Sequence, residues 1–133
     1  MHLYHSTQGQ DVHSLIFLIA DQINHSTIND PQLQIEIAQL NYKAASKALN
    51  NSNFAAAYFY STAAIKLLPP DHWERHYDLS RGIFLVQGNA AYTDGREEDA
   101  TRALDMILLH GKSLKDKLDA YFLKISLVSW LLW

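Results

Sequence analysis

The chain has no cysteine, only five glycines and three prolines in 133 residues, and no apolar run long enough to cross a bilayer. Without cysteine there is no thiol nucleophile, no disulfide and no thiolate zinc site, which fits a reducing, cytoplasmic compartment. The longest apolar runs, Leu15 to Ala20 and Leu127 to Trp133 with Ser129 inside it, fall well short of the roughly 20 residues a spanning helix needs. The opening Met1-His2-Leu3-Tyr4-His5 lacks the basic region, apolar stretch and small-residue cleavage site of a secretory signal. Broad positive charge is missing as well. Eleven basic residues against fourteen acidic ones leave a net charge of -3, so no field exists to neutralise phosphates and nucleic acid is not an expected partner. What remains is a chain that is 48% hydrophobic, long enough for one domain or a short array with a real core.

Turn-forming residues cluster at Asn29-Asp30-Pro31, Asn50-Asn51-Ser52-Asn53, Pro69-Pro70-Asp71, Asp94-Gly95 and Gly111, and they cut the chain into six helical segments. Val12, Leu15, Ile16, Ile19 and Ile23 recur at helical spacing in the first. Asp30 is the expected N-cap of the second, with Pro31 at its first position and Leu33, Ile37, Leu40, Ala44 and Ala48 on one face. Phe54, Ala57, Tyr58, Ser61, Ala64, Ile65 and Leu68 form the amphipathic pattern of the third, which Pro69 and Pro70 stop. The fourth opens with Asp71 and Glu74 spaced as in a capping box and carries Trp73, Tyr77, Ser80, Phe84, Gly88 and Ala91. Arg96 to about His110 is the fifth, with Glu97, Glu98 and Asp99 facing the positive end of its dipole and Ala100, Leu104, Ile107 and Leu108 as its stripe. The last starts near Lys112 and spaces Leu114, Leu118, Tyr121, Ile125, Val128 and Leu132 by fours and threes. No segment alternates as a strand does.

Two helix pairs, 32–68 and 71–110, repeat a pattern of small residues. Ala45, Phe54, Ala57, Ala64 and Pro69 stand where a tetratricopeptide repeat places small residues, an aromatic, two alanines and a closing proline. Gly88, Gly95 and Ala100 take the small positions of a second unit. Antiparallel helices approach closely only where small side chains meet. The offset from Ala57 to Ala100 is 43 residues and not the 34 of the standard repeat, because the connection through Trp73 is long. The expected fold is therefore all-α: an antiparallel helix-pair stack, a tetratricopeptide-like solenoid fragment of about six helices, forming a single module over 1–133 that continues a longer array. Such units are stable by stacking, and terminal ones usually show a polar face. Here the final helix, 112–132, ends in Trp130 to Trp133, which suggests truncation or a homo-oligomer interface. The alternative is that it folds back over the first helix.

The residues Ile19 to Asn24, Ala38 to Asn41, Ala44, Lys47-Ala48, Phe54, Ala57, Tyr60 and Leu67-Leu68 contribute to a wider likeness. With them stand the block Asp71-His72-Trp73-Glu74-Arg75-His76-Tyr77-Asp78-Leu79, then Tyr92, Gly95, Ala100 and Asp116. Over residues 15 to 130 this resembles the helical-repeat region of large signalling proteins, which join it to a serine/threonine kinase-like domain, an AAA-type or STAND-type ATPase, a GAF or PAS sensor and a histidine kinase or other output domain. Ala45 and Ala64 stand where that family often has Gly, and Asn89 where it often has Glu. The resemblance implies a cytoplasmic, non-catalytic interaction or regulatory module whose partner is a protein or a neighbouring domain of the same polypeptide. It implies no cofactor. The chain carries no phosphate-binding loop, kinase catalytic loop or dinucleotide motif, so nucleotide binding and phosphotransfer belong to the other domains of such proteins.

One alternative invokes chemistry. His72 and His76 lie at i and i+4, the spacing at which two imidazoles converge on a metal; the resemblance to kinase-linked proteins adds a phosphoaccepting His72 or His76 as a second chemical reading. No third ligand is evident, and a solvated first turn with Trp73 and Tyr77 packed inward is the preferred reading. Glu97, Glu98 and Asp99 are explained by the helix dipole without acid/base catalysis. The remaining alternative is a stand-alone adaptor that dimerises through its C-terminal helix.

Overall fold

The computed structural model describes residues 8–24 and 30–132, with side chains over 14–129 apart from 23 and 25–29. Seven helices make up the described residues, and no strand is among them. They are α1 (Gln8–Asn24), α2 (Pro31–Asn50), α3 (Phe54–Leu67), α4 (His72–Arg75), α5 (Tyr77–Thr93), α6 (Glu97–His110) and α7 (Leu114–Leu132). The all-α expectation holds. The expected single helix from Asp71 to Thr93 does not, because it is split into α4 and α5 at His76, whose backbone leaves the helical region at φ -134° and ψ 51°. Asp71 makes no side-chain cap. Its carboxylate lies 3.6 Å from the Arg75 guanidinium instead, and the Ser80 hydroxyl donates to the His76 carbonyl at 2.7 Å, a back-bond that bends helices.

The helices pack mainly on sequence neighbours, α2 on α3 and α5 on α6, while α3 also packs on α5 and α7 on α6 and α5. Asp30 caps α2 by accepting from the Gln32 N–H at 3.1 Å, with Pro31 at the first position as expected. Asn53 caps α3 in the same manner, accepting from Ala56 N–H at 3.2 Å.

The two hairpins α2–α3 and α5–α6 have matching turns at the 43-residue offset. Ser52 (φ 59°) and Gly95 (φ 76°) are both left-handed. In each turn the following N–H reaches back five residues, Asn53 to Ala48 and Arg96 to Ala91, both at 2.8 Å, so each helix ends in a Schellman motif. The small residues expected to face each other are buried: Ala45, Ala57, Ala64 and Ala100 are fully so. At Gly88 a Cβ would come within 2.7 Å of Leu104 Cδ2, which is why α5 and α6 approach as closely as they do. Phe54 is half-buried, and Gly95 is exposed with open space around it, so its contribution is its φ alone.

Three cores result. Ala20, Ala44, Ala48, Ala57, Tyr60 and Val86 join α1, α2, α3 and α5. Trp73, Phe84, Leu104, Ile107 and Ala120 join α4 to α7. Ala91, Ala100 and Leu127 form the third. Asn41, fully buried, exchanges amide hydrogen bonds with Asn24 at 2.8 and 3.0 Å and donates to the Ile37 carbonyl, leaving no polar atom of its amide unpaired between α1 and α2.

Some stripes face the other way. On α1, Leu15 and Ile19 are exposed while Ala20 is buried with Ile16 and Phe17 against its core; Val12 and Ile23 lie outside the described side chains. Leu33 is exposed at the start of α2. The main partners of α7 are α6 and α5, not α1, and its buried residues are Ala120 and Leu127. The side chains of Trp130 to Trp133 lie outside those described.

Candidate functional site

Trp73 sits where α4, α5 and α6 meet. Its indole is 8% exposed, parallel to the His110 ring at 4.8 Å, stacked on Phe84 at 5.4 Å and tilted against Tyr77 at 6.2 Å. The expected inward packing of Trp73 is observed, and Tyr77 is half-buried beside it. The Trp73 Nε1–H is buried with no acceptor, a cost of about 1–3 kcal/mol that ring packing offsets.

His72 stacks on Phe84 at 6.0 Å, and its Nδ1 lies 2.7 Å from Ser80 Oγ. The Ser80 hydroxyl also reaches the His76 and His72 carbonyls, at 2.7 and 3.2 Å. Burial holds the His72 imidazole below its ordinary pKa, the nearby His110 and His76 push it the same way, and Asp71 opposes them. His76 stands at the break between α4 and α5, so the two imidazoles do not share the one continuous helix that the spacing suggested. Among the described residues no three His, Cys, Asp or Glu side chains group as metal ligands.

Three tyrosines donate to aspartates on distant helices. Tyr60 of α3 reaches Asp21 of α1 at 2.8 Å, Tyr58 of α3 reaches Asp99 of α6 at 2.8 Å, and Tyr77 of α5 reaches Asp116 of α7 at 2.7 Å. The Tyr77 oxygen also accepts from the Lys112 N–H at 2.9 Å, with the Lys112 ammonium 4.4 Å above the ring centre. All three phenols are held above their usual pKa. The bond to the Asp99 carboxylate is the main cause at Tyr58, followed by burial; burial leads at Tyr60 and Tyr77, followed by the bonds to Asp21 and Asp116. Asp99 therefore does more than complement the dipole of α6: it also ties α6 to α3.

Besides Leu15, Leu18 and Ile19 on α1, apolar faces are left open on α7 and α3. On α7, Leu114 (68% exposed), Leu118, Tyr121, Phe122 (64%), Ile125 (61%) and Val128 all face outward. Leu114, Leu118, Tyr121, Ile125 and Val128 are spaced by fours and threes, as in a coiled-coil seam, with Phe122 beside them. On α3, Phe59 is 53% exposed beside a groove of about 550 Å³ that Ala55, Tyr58, Thr62, Ala63, Lys66 and Arg96 help to line. Sequence reading identified the α7 stripe and missed Phe59, whose exposure shows only once α2 and α5 are seen on the other side of α3.

No family model, no curated protein and no solved structure matches this chain.

Proposed function

We propose that the chain is a non-catalytic, tetratricopeptide-like interaction module of a multidomain signalling ATPase or kinase, acting by helix packing and not by chemistry. The observation that carries this reading is the outward face of α7, five apolar side chains at coiled-coil spacing with Phe122 beside them, on a helix whose opposite side already packs on α5 and α6. Exposed apolar patches of this kind mark sites where another element docks. Supporting it are the matched hairpins α2–α3 and α5–α6 and the resemblance described above. The natural cover for α7 is a further helix pair of the same polypeptide or of a partner. Among the described residues no helix is long and apolar enough to cross a membrane.

In the isolated chain a second copy takes the place of that cover. Sedimentation over a concentration series tests this: the chain should associate, and a Leu118→Lys, Ile125→Lys variant should remain monomeric while keeping the parent's helical circular dichroism. Identical sedimentation of the two proteins overturns the reading.

A further inference from the structure

The outer side of α3 supports an inference independent of α7. Its sequence, FAAAYFYSTAAIKL, holds one charge, Lys66, and is apolar all round. Helices of that composition are ordinarily covered on every side. Here α2 and α5 cover the side that buries Ala57, Tyr60, Ser61 and Ala64, whereas Phe59 is left facing the groove between Ala55 and Ala63.

The charged side chains that line the groove are both basic. Lys66 and Arg96 line it, and no carboxylate does. Lys66 has no ion pair among the described residues. Asp94 engages only Nε of Arg96, at 3.0 Å, and the guanidinium lies 4.3 Å over the Tyr58 ring, which leaves its terminal nitrogens for a ligand. Glu97 and Glu98, the nearest acids in sequence, line a different depression with Met106 and Leu127. Asp94, on Arg96, and Asp99, on the Tyr58 hydroxyl and Arg102, each already have a basic partner, so the unpaired charge at the groove is that of Lys66.

The uncharged polar groups of the groove are already engaged. Asn24 is bonded to Asn41, and Thr62 Oγ1 accepts from Gln87 at 3.1 Å. An extended peptide would find no partners there for its own N–H and C=O groups. A helix brings those groups already paired and presents only side chains.

We propose that the outer face of α3 docks an acidic amphipathic helix of a partner protein, with apolar side chains packed on Phe59 and carboxylates on Lys66 and Arg96. Tyr58, beneath Arg96, and Lys66 are eight residues apart, about 12 Å along the axis. The docking helix therefore carries its acids about eight residues apart, with leucine-like residues between them on the same face.

The test uses the full chain and a fluorescein-labelled alanine-based helical peptide of about sixteen residues. It has glutamates at its fourth and twelfth positions and leucines at its fifth, eighth and eleventh. Anisotropy should show saturable binding. Replacing the twelfth-position glutamate by glutamine, or changing Lys66→Glu or Phe59→Ser, should weaken it at least about tenfold. A lysine in that peptide position should restore binding to the Lys66→Glu chain. Leu118→Lys, on α7, should leave the affinity unchanged, which separates this proposal from the reading of α7. Lys66 and Phe59 are exposed, so both variants should keep the helical circular dichroism of the parent. No binding at millimolar peptide, or equal binding by the parent and the Lys66→Glu chain, overturns the proposal.

Discussion

The Tyr58 hydroxyl on α3 donates to Asp99 Oδ2 on α6 at 2.8 Å, a bond between residues 41 apart that links the two helix hairpins. Asp99 also holds Arg102 at 3.0 Å, so the carboxylate keeps a partner when the phenol is removed. Tyr58→Phe should therefore cost about 1 kcal/mol in denaturant unfolding, and no more.

Tyr58, Tyr60 and Tyr77 share one alkaline signature. Their folded pKa values lie above 10.0, so the unfolded chain loses phenolic protons first as pH rises. The stability they contribute is complete below pH 10 and is lost above it. A Tyr58→Phe, Tyr60→Phe, Tyr77→Phe chain should be less stable at neutral pH and lose less on going to alkaline pH, as thermal midpoints in a pH series would register.

His72 has the opposite relation to acid. Its folded pKa is depressed below 6.5, so on acidification the unfolded chain takes up a proton at this site before the folded one does. The stability linked to His72 is full above pH 6.5 and declines as pH falls towards the folded value. His72→Gln keeps a hydrogen-bonding partner for Ser80 but cannot titrate. Its thermal midpoint should fall less than that of the parent between about pH 7.5 and about pH 5.5.

The two left-handed turn residues predict opposite results. Ser52→Gly should stabilise by about 1 kcal/mol, because a side chain at φ 59° is removed from a strained backbone. Gly95→Ala should destabilise by about 1 kcal/mol, although its Cβ would meet nothing. Equal and opposite shifts in urea midpoint would confirm that the turns are equivalent.

For Trp73, Ala should cost about 3 to 5 kcal/mol, since the ring fills the junction of three helices. Phe should cost less than about 1.5 kcal/mol, because it keeps most of the stack and removes an indole N–H that has no acceptor. A Phe variant as damaged as the Ala variant would show that the unpaired N–H is not a cost.

Helix existence, the Asn-rich and Asp-Gly turns and the small-residue contacts were legible because each has a local physical signal: φ preference, capping geometry or side-chain volume. The break at His76 was not, since it depends on the Ser80 back-bond, and Ser80 reads equally well as a mid-helix residue. Periodicity marked the apolar stripe of α7 but not whether anything covers it. That side was decided by Ala120 and Leu127, which let α7 settle on α5 and α6 and turned Leu118 and Ile125 outward. The tyrosine–aspartate ties were out of reach of pattern reading, because no local spacing predicts a contact 39 to 41 residues away.

Trp73 lies in the connector between the hairpins, yet its ring belongs to the second one, clasped by Phe84 and His110. The seam between the two units thus falls at Pro69-Pro70, ahead of α4. A fragment beginning at Asp71 would hold α4 to α7 with the aromatic plug in place, but would bare the side of α5 that packs on α3. One beginning four residues later would lose most of α4 and Trp73 with it, leaving α5 to α7 with an open hole at their centre.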